Sequence, residues 1–373
     1  MRVLHVVTLH SPDNAFGGPM RVALNLAGGL RQQGAEVRLL TMGRGFAGQL
    51  PTDIEGVPAH VLRARQLAPQ LGFSGIAAPG LLPAAARLIR SCDVVHVHLA
   101  RDLMTVPVAA LANALGKPVV LQTHGMVDPS GRALAAVLDA VAVRRLLHRA
   151  GRVLYLTEHE RRDLQAVAGA QPLTNLSRLP NGVPLAARRT TPGEQLVTFL
   201  GRLHPRKRPE AVVAALPAVL GAYPQARCVI AGPDEGAKQG AVDLAQRLGL
   251  EQVVDFVGAV DHAGALELLR RTSVSVLPSV DEPFPMSVLE ALAVGTPVVL
   301  TRSNGLARDV LAAGAGAVVD VDEDVSGDVV RLLDPAENER ASAAAHELAG
   351  STFDVDRVVK ELCAVYEDAI RRR

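Results

Sequence analysis

The stretch that decides the fold is Asp281-Glu282-Pro283-Phe284-Pro285-Met286-Ser287-Val288-Leu289-Glu290-Ala291-Leu292-Ala293-Val294-Gly295-Thr296-Pro297, entered from the apolar run 273–277. Ser287 followed by Glu290 reads as a capping box. Leu289, Leu292 and Ala293 carry an apolar face, and Gly295 with Pro297 stops the helix. A strand, a loop, a short helix and a second strand at 297–300 make one unit of a parallel α/β sheet. Glu282 is expected just ahead of the helix N-terminus, where unpaired N–H groups and the positive dipole end receive an anion. Glu290 taken alone is equally well explained as the cap partner. Glu282 has no such explanation.

The same alternation runs through all 373 residues. Strands are expected at 2–8, 36–41, 58–62, 94–98, 118–123 and 152–157. A second series is expected at 196–200, 226–231, 253–257, 273–277, 297–300 and 315–319. An amphipathic helix over 19–33 carries Val22, Leu26 and Leu30 and ends at Gly34. Two series of about six strands imply two Rossmann-like domains in tandem, 1–185 and 186–352. The joining segment is Pro180-Asn181-Gly182-Val183-Pro184 and the polar run to Glu194. The last stretch, 353–373, has an apolar face of Val358, Leu362, Val365, Tyr366 and Ile370.

Composition narrows the class. Hydrophobic residues are 49% of the chain, enough for two cores, and no apolar run reaches the length of a membrane span. The N-terminus reads as a strand and not a signal peptide. Cys92, Cys228 and Cys363 are odd in number and far apart, which disfavours a disulfide framework or zinc site and fits a reducing cytoplasm. The net charge of +1 hides an asymmetry: residues 1–187 hold 19 Lys/Arg against 11 Asp/Glu, and the rest 20 against 27. A basic first half attracts an anionic acceptor or an anionic membrane surface; a solvated Arg-rich surface explains it equally.

Gly43-Arg44-Gly45-Phe46-Ala47-Gly48 matches a dinucleotide fingerprint only in letters. Pro51 and Gly56 follow without helical period and Asp53 comes too soon for a ribose ligand, so it reads as a surface loop. Neither a P-loop nor a nucleophile elbow is present.

Ligands of open α/β sheets bind beyond the carboxyl ends of strands. After the first strand, Gly17 and Gly18 lead into the helix at Pro19 and allow close backbone approach to a phosphate or sugar. His96 and His98 share one strand face. A His-x-His pair suits a metal, but no third ligand is visible, so His96 reads as packed and His98, at the strand end, as the more exposed. His124, ending a strand before Gly125, is placed to hydrogen-bond a ligand hydroxyl. Arg202, Arg206, Lys207 and Arg208 follow another strand beside a helix starting near Pro209, which makes a diphosphate site. The loops at Ala231-Gly232-Pro233-Asp234 and at Gly258 offer backbone contacts to a base and ribose.

Taken together, Gly17-Gly18-Pro19 with Arg21-Val22-Ala23-Leu24-Asn25-Leu26, His124-Gly125, Leu156-Thr157-Glu158, Asn181-Gly182-Val183, Gly201-Arg202-Leu203 with Lys207, Ala231-Gly232-Pro233-Asp234 and the pair Glu282 and Glu290 resemble the retaining glycosyltransferases of family 4. The resemblance spans the whole chain in order. It implies the α/β GT-B fold, two Rossmann-like domains with parallel sheets facing a central cleft, and a C-terminal helix returning to the first domain. It implies a nucleotide-sugar donor, UDP- or GDP-linked, on the second domain and an acceptor glycan, lipid-linked or small molecule on the first. By the resemblance, Arg202 and Lys207 bind the diphosphate, Glu290 the ribose, and Glu282 and His124 the sugar. Gly17 and Gly18 approach phosphate and sugar, and the N-terminus at Ser287 assists the leaving group. No metal or other cofactor is implied. The family often has Gly where this chain has Pro285, which lacks an N–H, so one backbone donor is lost or moves to Phe284 or Met286.

The expected activity is metal-independent sugar transfer to an acceptor hydroxyl with retention, in the cytoplasm or peripherally at the inner membrane face, without nucleic acid. A nucleotide-sugar epimerase of the same fold and a non-catalytic two-lobed sugar-binding protein are the alternatives.

Overall fold

The computed structural model describes residues 1–12, 17–67, 74–130, 137–190 and 194–372. It divides into two compact units, Met1–Gly182 with Val355–Arg373, and Val183–Asp354.

The first unit is built on one sheet. In chain order its strands are β1 (Arg2–His10), β2 (Glu36–Gly43), β3 (Asp53–Ile54) and β4 (Val57–Arg63). A separate short hairpin follows, β5 (Arg65–Gln66) with β6 (Ile76–Ala77), and then β7 (Val94–His98), β8 (Val119–Gln122), β9 (Arg152–Tyr155) and β10 (Leu176–Arg178). The spatial order is β10-β9-β8-β7-β1-β2-β4-β3. Every pairing is parallel except β3 with β4. The central strands are apolar on both faces because helices cover both; β7 and β8 are buried at every residue. Strands β3, β5, β6 and β10 escape the sequence reading because two or three residues show no period.

Helix Val355–Arg371 belongs to this unit. Val355, Val358, Val359, Leu362, Tyr366 and Ala369 are buried along one stripe. It lies so close to helix Gly17–Gln32 that a Cβ on Gly29 would stand 2.8 Å from Val359. The chain leaves at Gly182 and returns at Val355, and beside those points Val183 pairs with Asp354 in a parallel bridge.

The second unit contains β11 (Leu196–Leu200), β12 (Arg227–Ala231), β13 (Val254–Gly258), β14 (Val274–Leu277), β15 (Val298–Thr301) and β16 (Gly316–Val319). They are all parallel, in the order β13-β12-β11-β14-β15-β16. This is the doubly wound order. The direction of winding reverses between β11 and β14, and a crevice opens at the carboxyl ends of those two strands. In the first unit the reversal lies between β1 and β7.

Residues 44–50, the loop carrying the false fingerprint, start no helix and are largely exposed. Residues 13–16 ahead of Gly17, 191–193 in the joining segment and Arg373 lie outside the described residues. Among the described residues no helix is long and apolar enough to cross a membrane.

Candidate functional site

In the second unit, the loops after β11, β14 and β15 meet at the reversal point, and the ends of β12 and β13 brace the first of them. The loop after β11 is locked against the loop after β12. Gly201 N–H donates to the Ala231 carbonyl at 3.0 Å, and Gly232, at φ 146°, has no room for a Cβ, which would fall 1.9 Å from the Gly201 carbonyl oxygen. Gly258 closes the other side, its carbonyl accepting from Gly232 N–H at 2.7 Å. Beyond Gly201 the chain makes a 3₁₀ turn, Pro205–Lys207, capped by His204, whose Nδ1 accepts from Arg206 N–H at 3.1 Å. Arg208 then takes the left-handed conformation at φ 53°, and helix Pro209–Ala222 begins.

This turn delivers Lys207 inward. Its Nζ forms an ion pair with the Glu282 carboxylate from the loop after β14, and both side chains are nearly buried. Burial pulls the Lys207 pKa down, and Glu282 partly restores it. The two loops are stitched together beside that pair: Arg206 Nη2 donates to the Asp281 carbonyl at 2.7 Å, and Val280 N–H to the Arg206 carbonyl at 2.8 Å. The loop after β15 braces the other side, with Asp281 N–H donating to Ser303 Oγ at 3.1 Å and Gly305 N–H to the Glu282 carbonyl at 2.8 Å. Arg202 stands at the rim, half-exposed, its Nη1 shared between the two carboxylate oxygens of Glu235 at 2.8 and 3.0 Å.

The capping box is corrected. Helix Met286–Ala293 starts after Pro285, which occupies the cap position with no side-chain cap bond. Pro285 sets φ at −75° with extended ψ, so the chain turns helical one residue ahead of Ser287, which therefore lies inside the first turn. The first-turn N–H groups have no intrahelical acceptor and point out of the N-terminus. Glu290 does not reach back; its carboxylate lies 3.4 Å from His262 Nδ1. Phe284 and Met286 are buried, and Phe284 packs edge-on against Phe353 at 5.8 Å, so both can offer a ligand little beyond main chain.

In the first unit the predicted residues gather at the ends of β1, β7 and β8. His124 follows β8 at φ 51°, an unusual conformation for a side chain of this size. Its two neighbours are clamped by one carboxylate. Glu160 Oε1 accepts from Thr123 Oγ1 at 2.5 Å and Gly125 N–H at 2.6 Å, while Oε2 accepts from Leu156 N–H at 2.7 Å. Burial raises the Glu160 pKa against the pull of these bonds. Sequence reasoning missed Glu160. The signal was there: Thr157 caps helix Glu158–Ala168, its side chain accepting from Glu160 N–H, but the carboxylate turns inward instead of back to the cap.

His98 is fully buried, not exposed at the strand end. Its ring stacks between those of His96 and His124, with centroids 4.7 and 5.0 Å away. The third histidine invisible in the local sequence is His5, brought alongside by the β1–β7 register, which sets it opposite His96. His5, His96 and His98 offer ring nitrogens within 4.8 Å of one another, a set able to hold a metal ion, although every ring nitrogen of the three except His96 Nε2 already bonds another group of the cluster. Desolvation lowers all four histidine pKa values, to about 3 for His5 and His124. Gly17 and Gly18 open helix Gly17–Gln32, and the family-motif residues Arg21 and Asn25 have local partners, Glu55 and the Gly182 carbonyl.

The fold is that of solved sugar-handling proteins. HepE of Anabaena, in complex with UDP and glucose, matches with a TM-score of 0.77 at 19% identity, covering 98% of this chain and 99% of that one. Sucrose-phosphate synthase of Thermosynechococcus elongatus matches with a TM-score of 0.75 at 20% identity over the full length of both. The profile of the glycosyl transferases group 1 family matches residues 186–347, and that of glycosyltransferase family 4 matches residues 16–187. Glycogen synthase of Mycobacterium tuberculosis is 33% identical over 75% of this chain and 69% of its own length. The chain belongs to the family 4 glycosyltransferases of GT-B fold.

The D-inositol 3-phosphate glycosyltransferase of Kribbella flavida is 28% identical to this glycosyltransferase over 98% of the chain and 94% of its own length. The strand ends of each unit in this glycosyltransferase thus carry a polar cluster of different character: cations and carboxylates in the second, neutral imidazoles in the first.

Proposed function

We propose that this glycosyltransferase moves a sugar from a nucleoside-diphosphate sugar to an acceptor hydroxyl, with retention at the anomeric carbon and without a metal ion. The observation that carries this reading is the Lys207–Glu282 pair, held nearly buried by three loops beside the N-terminus of helix Met286–Ala293. A leaving diphosphate develops negative charge. Lys207, Arg202 and the first-turn N–H groups are cations and dipoles already in place to stabilise it. Glu282 keeps Lys207 oriented until the donor binds, and then turns a carboxylate toward sugar hydroxyls. Glu290 is assigned to the ribose and His124 to a sugar hydroxyl. Charge neutralisation of this kind leaves no step that calls for a divalent cation, and a leaving-group oxygen can take the acceptor's proton.

The UDP and UDP-glucose complexes of HepE support a UDP-linked donor, and the inositol-phosphate relatives support an anionic acceptor. The excess of Lys and Arg in residues 1–187 favours the same acceptor class and a peripheral membrane contact. Thermal-shift titration with UDP, GDP and ADP and their sugars names the donor. Transfer that persists in EDTA supports the metal-free reading, and transfer abolished by EDTA and restored by a divalent ion sinks it. Donor conversion without acceptor would reveal an epimerase instead. Pelleting with anionic liposomes at low salt tests the membrane contact.

A further inference from the structure

The first unit contains a continuous line of hydrogen bonds that reaches His124 from the C-terminal helix. His96 Nδ1 meets Tyr366 Oη at 2.7 Å, and Tyr366 Oη meets His5 Nε2 at 3.3 Å. His5 Nδ1 then meets His98 Nε2 at 3.0 Å, and His98 Nδ1 meets His124 Nε2 at 2.7 Å. His5, His96, His98 and Tyr366 are fully buried. Desolvation keeps the imidazoles neutral and the phenol protonated near neutral pH.

Proton counting constrains this line. A neutral imidazole has one N–H and one lone pair, and the phenol has one O–H. Five groups therefore bring five protons to four links, and the fifth proton sits at one end. Either His96 Nε2 carries it and all four rings are Nε2–H, or His124 Nδ1 carries it and all four are Nδ1–H. In either arrangement the four rings share one tautomer, so that of His124 is tied to those of His98, His5 and His96. The far end of the line is closed off, since His96 Nε2 is buried without a hydrogen-bond partner.

We propose that Tyr366, His5 and His98 are positioning residues that hold His124 in the one tautomer common to all four rings, so that its Nδ1 meets a substrate hydroxyl in a single fixed hydrogen-bonding role. This rests on the assignment of His124 to the sugar. Tyr366 lies 242 positions along the chain from His124 yet sets the ring's polarity, because each link fixes the next. The line also gives the returning helix Val355–Arg371 a part in the chemistry beyond packing.

The test is the ring ¹⁵N spectrum of histidine-labelled protein at pH 7.5, with His5, His96, His98 and His124 assigned by single substitutions. The expected result is one tautomer, the same in all four rings. Tyr366→Phe removes the hydroxyl and keeps the ring. It is expected to split His124 into two tautomers and to lower kcat about 10-fold with little change in donor KM. Two different tautomers among the four rings in the wild type overturn the proposal. So does a Tyr366→Phe protein in which His124 keeps one tautomer or kcat is unchanged. Where Tyr366→Phe does not fold, the wild-type spectrum decides alone. His124→Ala separates the underlying assignment: full transfer in that variant removes His124 from sugar binding whatever its tautomer.

Discussion

The strand ends of the two units solve the same problem in opposite ways. Each must keep polar groups poised in a place largely closed to water. The second unit uses full charges, so each has a partner: Lys207 with Glu282 and Arg202 with Glu235. The first unit uses neutral imidazoles, which need only one donor and one acceptor contact each, so they join in line. A charge removed from its partner in low dielectric is costly, whereas a neutral ring left short of one bond loses far less. The comparison implies that substitutions in the second unit change stability and turnover together, while those in the first unit change orientation before stability.

Lys207→Ala is the strongest way to break that contrast. Transfer should fall by about 10²- to 10³-fold, the loss typical of one preorganised charge. Stability should also fall by about 3–5 kcal/mol, because Glu282 remains buried and unpaired. Adding Glu282→Gln should restore most of the stability and none of the rate. Chemical denaturation and single-turnover transfer measure the two; near-wild-type transfer in Lys207→Ala would discard the diphosphate assignment.

Acid should strike the first unit. Histidines lowered from the ordinary 6.5, to about 3 for His5 and His124, bind protons in the unfolded chain before the folded one. The unfolded state then holds more protons, so stability is full above about pH 6.5 and declines as the pH falls toward 3. The slope is about 1.4 kcal/mol per pH unit for each histidine. Proton uptake on unfolding at pH 5 should approach four from His5, His96, His98 and His124. Uptake of one or none would show that the rings are not held neutral.

Glu160→Gln replaces one acceptor oxygen with an NH₂ group facing either Leu156 N–H or the Thr123 and Gly125 donors. A cost of about 1–3 kcal/mol is expected. Amide exchange at Gly125 and Leu156 should quicken, and unchanged protection there would remove Glu160 from its clamping role.

The smallest effect belongs to Glu235→Gln. Arg202 in this pair is half-exposed, so stability should change by less than about 1 kcal/mol. Freed Arg202 should bind nucleoside diphosphate somewhat more tightly, by calorimetry. A large loss of stability would mean that the pair is structural.

Much was legible beforehand because it is written in local pattern. Apolar runs buried on both faces identify parallel strands, and the residues after them identify where ligands are received. Arg202, Lys207, Glu282 and His124 stand out as candidates from that logic. The capping box failed because Pro285 imposes its own dihedral two positions ahead of Ser287, and a local rule cannot say which of two local preferences prevails. Glu160 was read past because a capping box and an inward clamp share the same letters.

Sequence by itself determined the α/β class, the two series of strands, the odd free cysteines and the family motifs, since each depends on neighbours a few residues apart. Tertiary structure alone decided that Lys207 spends its charge on Glu282, 75 residues away, and that His5 completes the pair His96 and His98. It also decided that Tyr366 of the last helix stands between His96 and His5 in the line that ends at His124. Those pairings depend on sheet order and register, which hydrophobic period cannot encode, and on the need of every buried polar atom to find a partner wherever the fold happens to bring one.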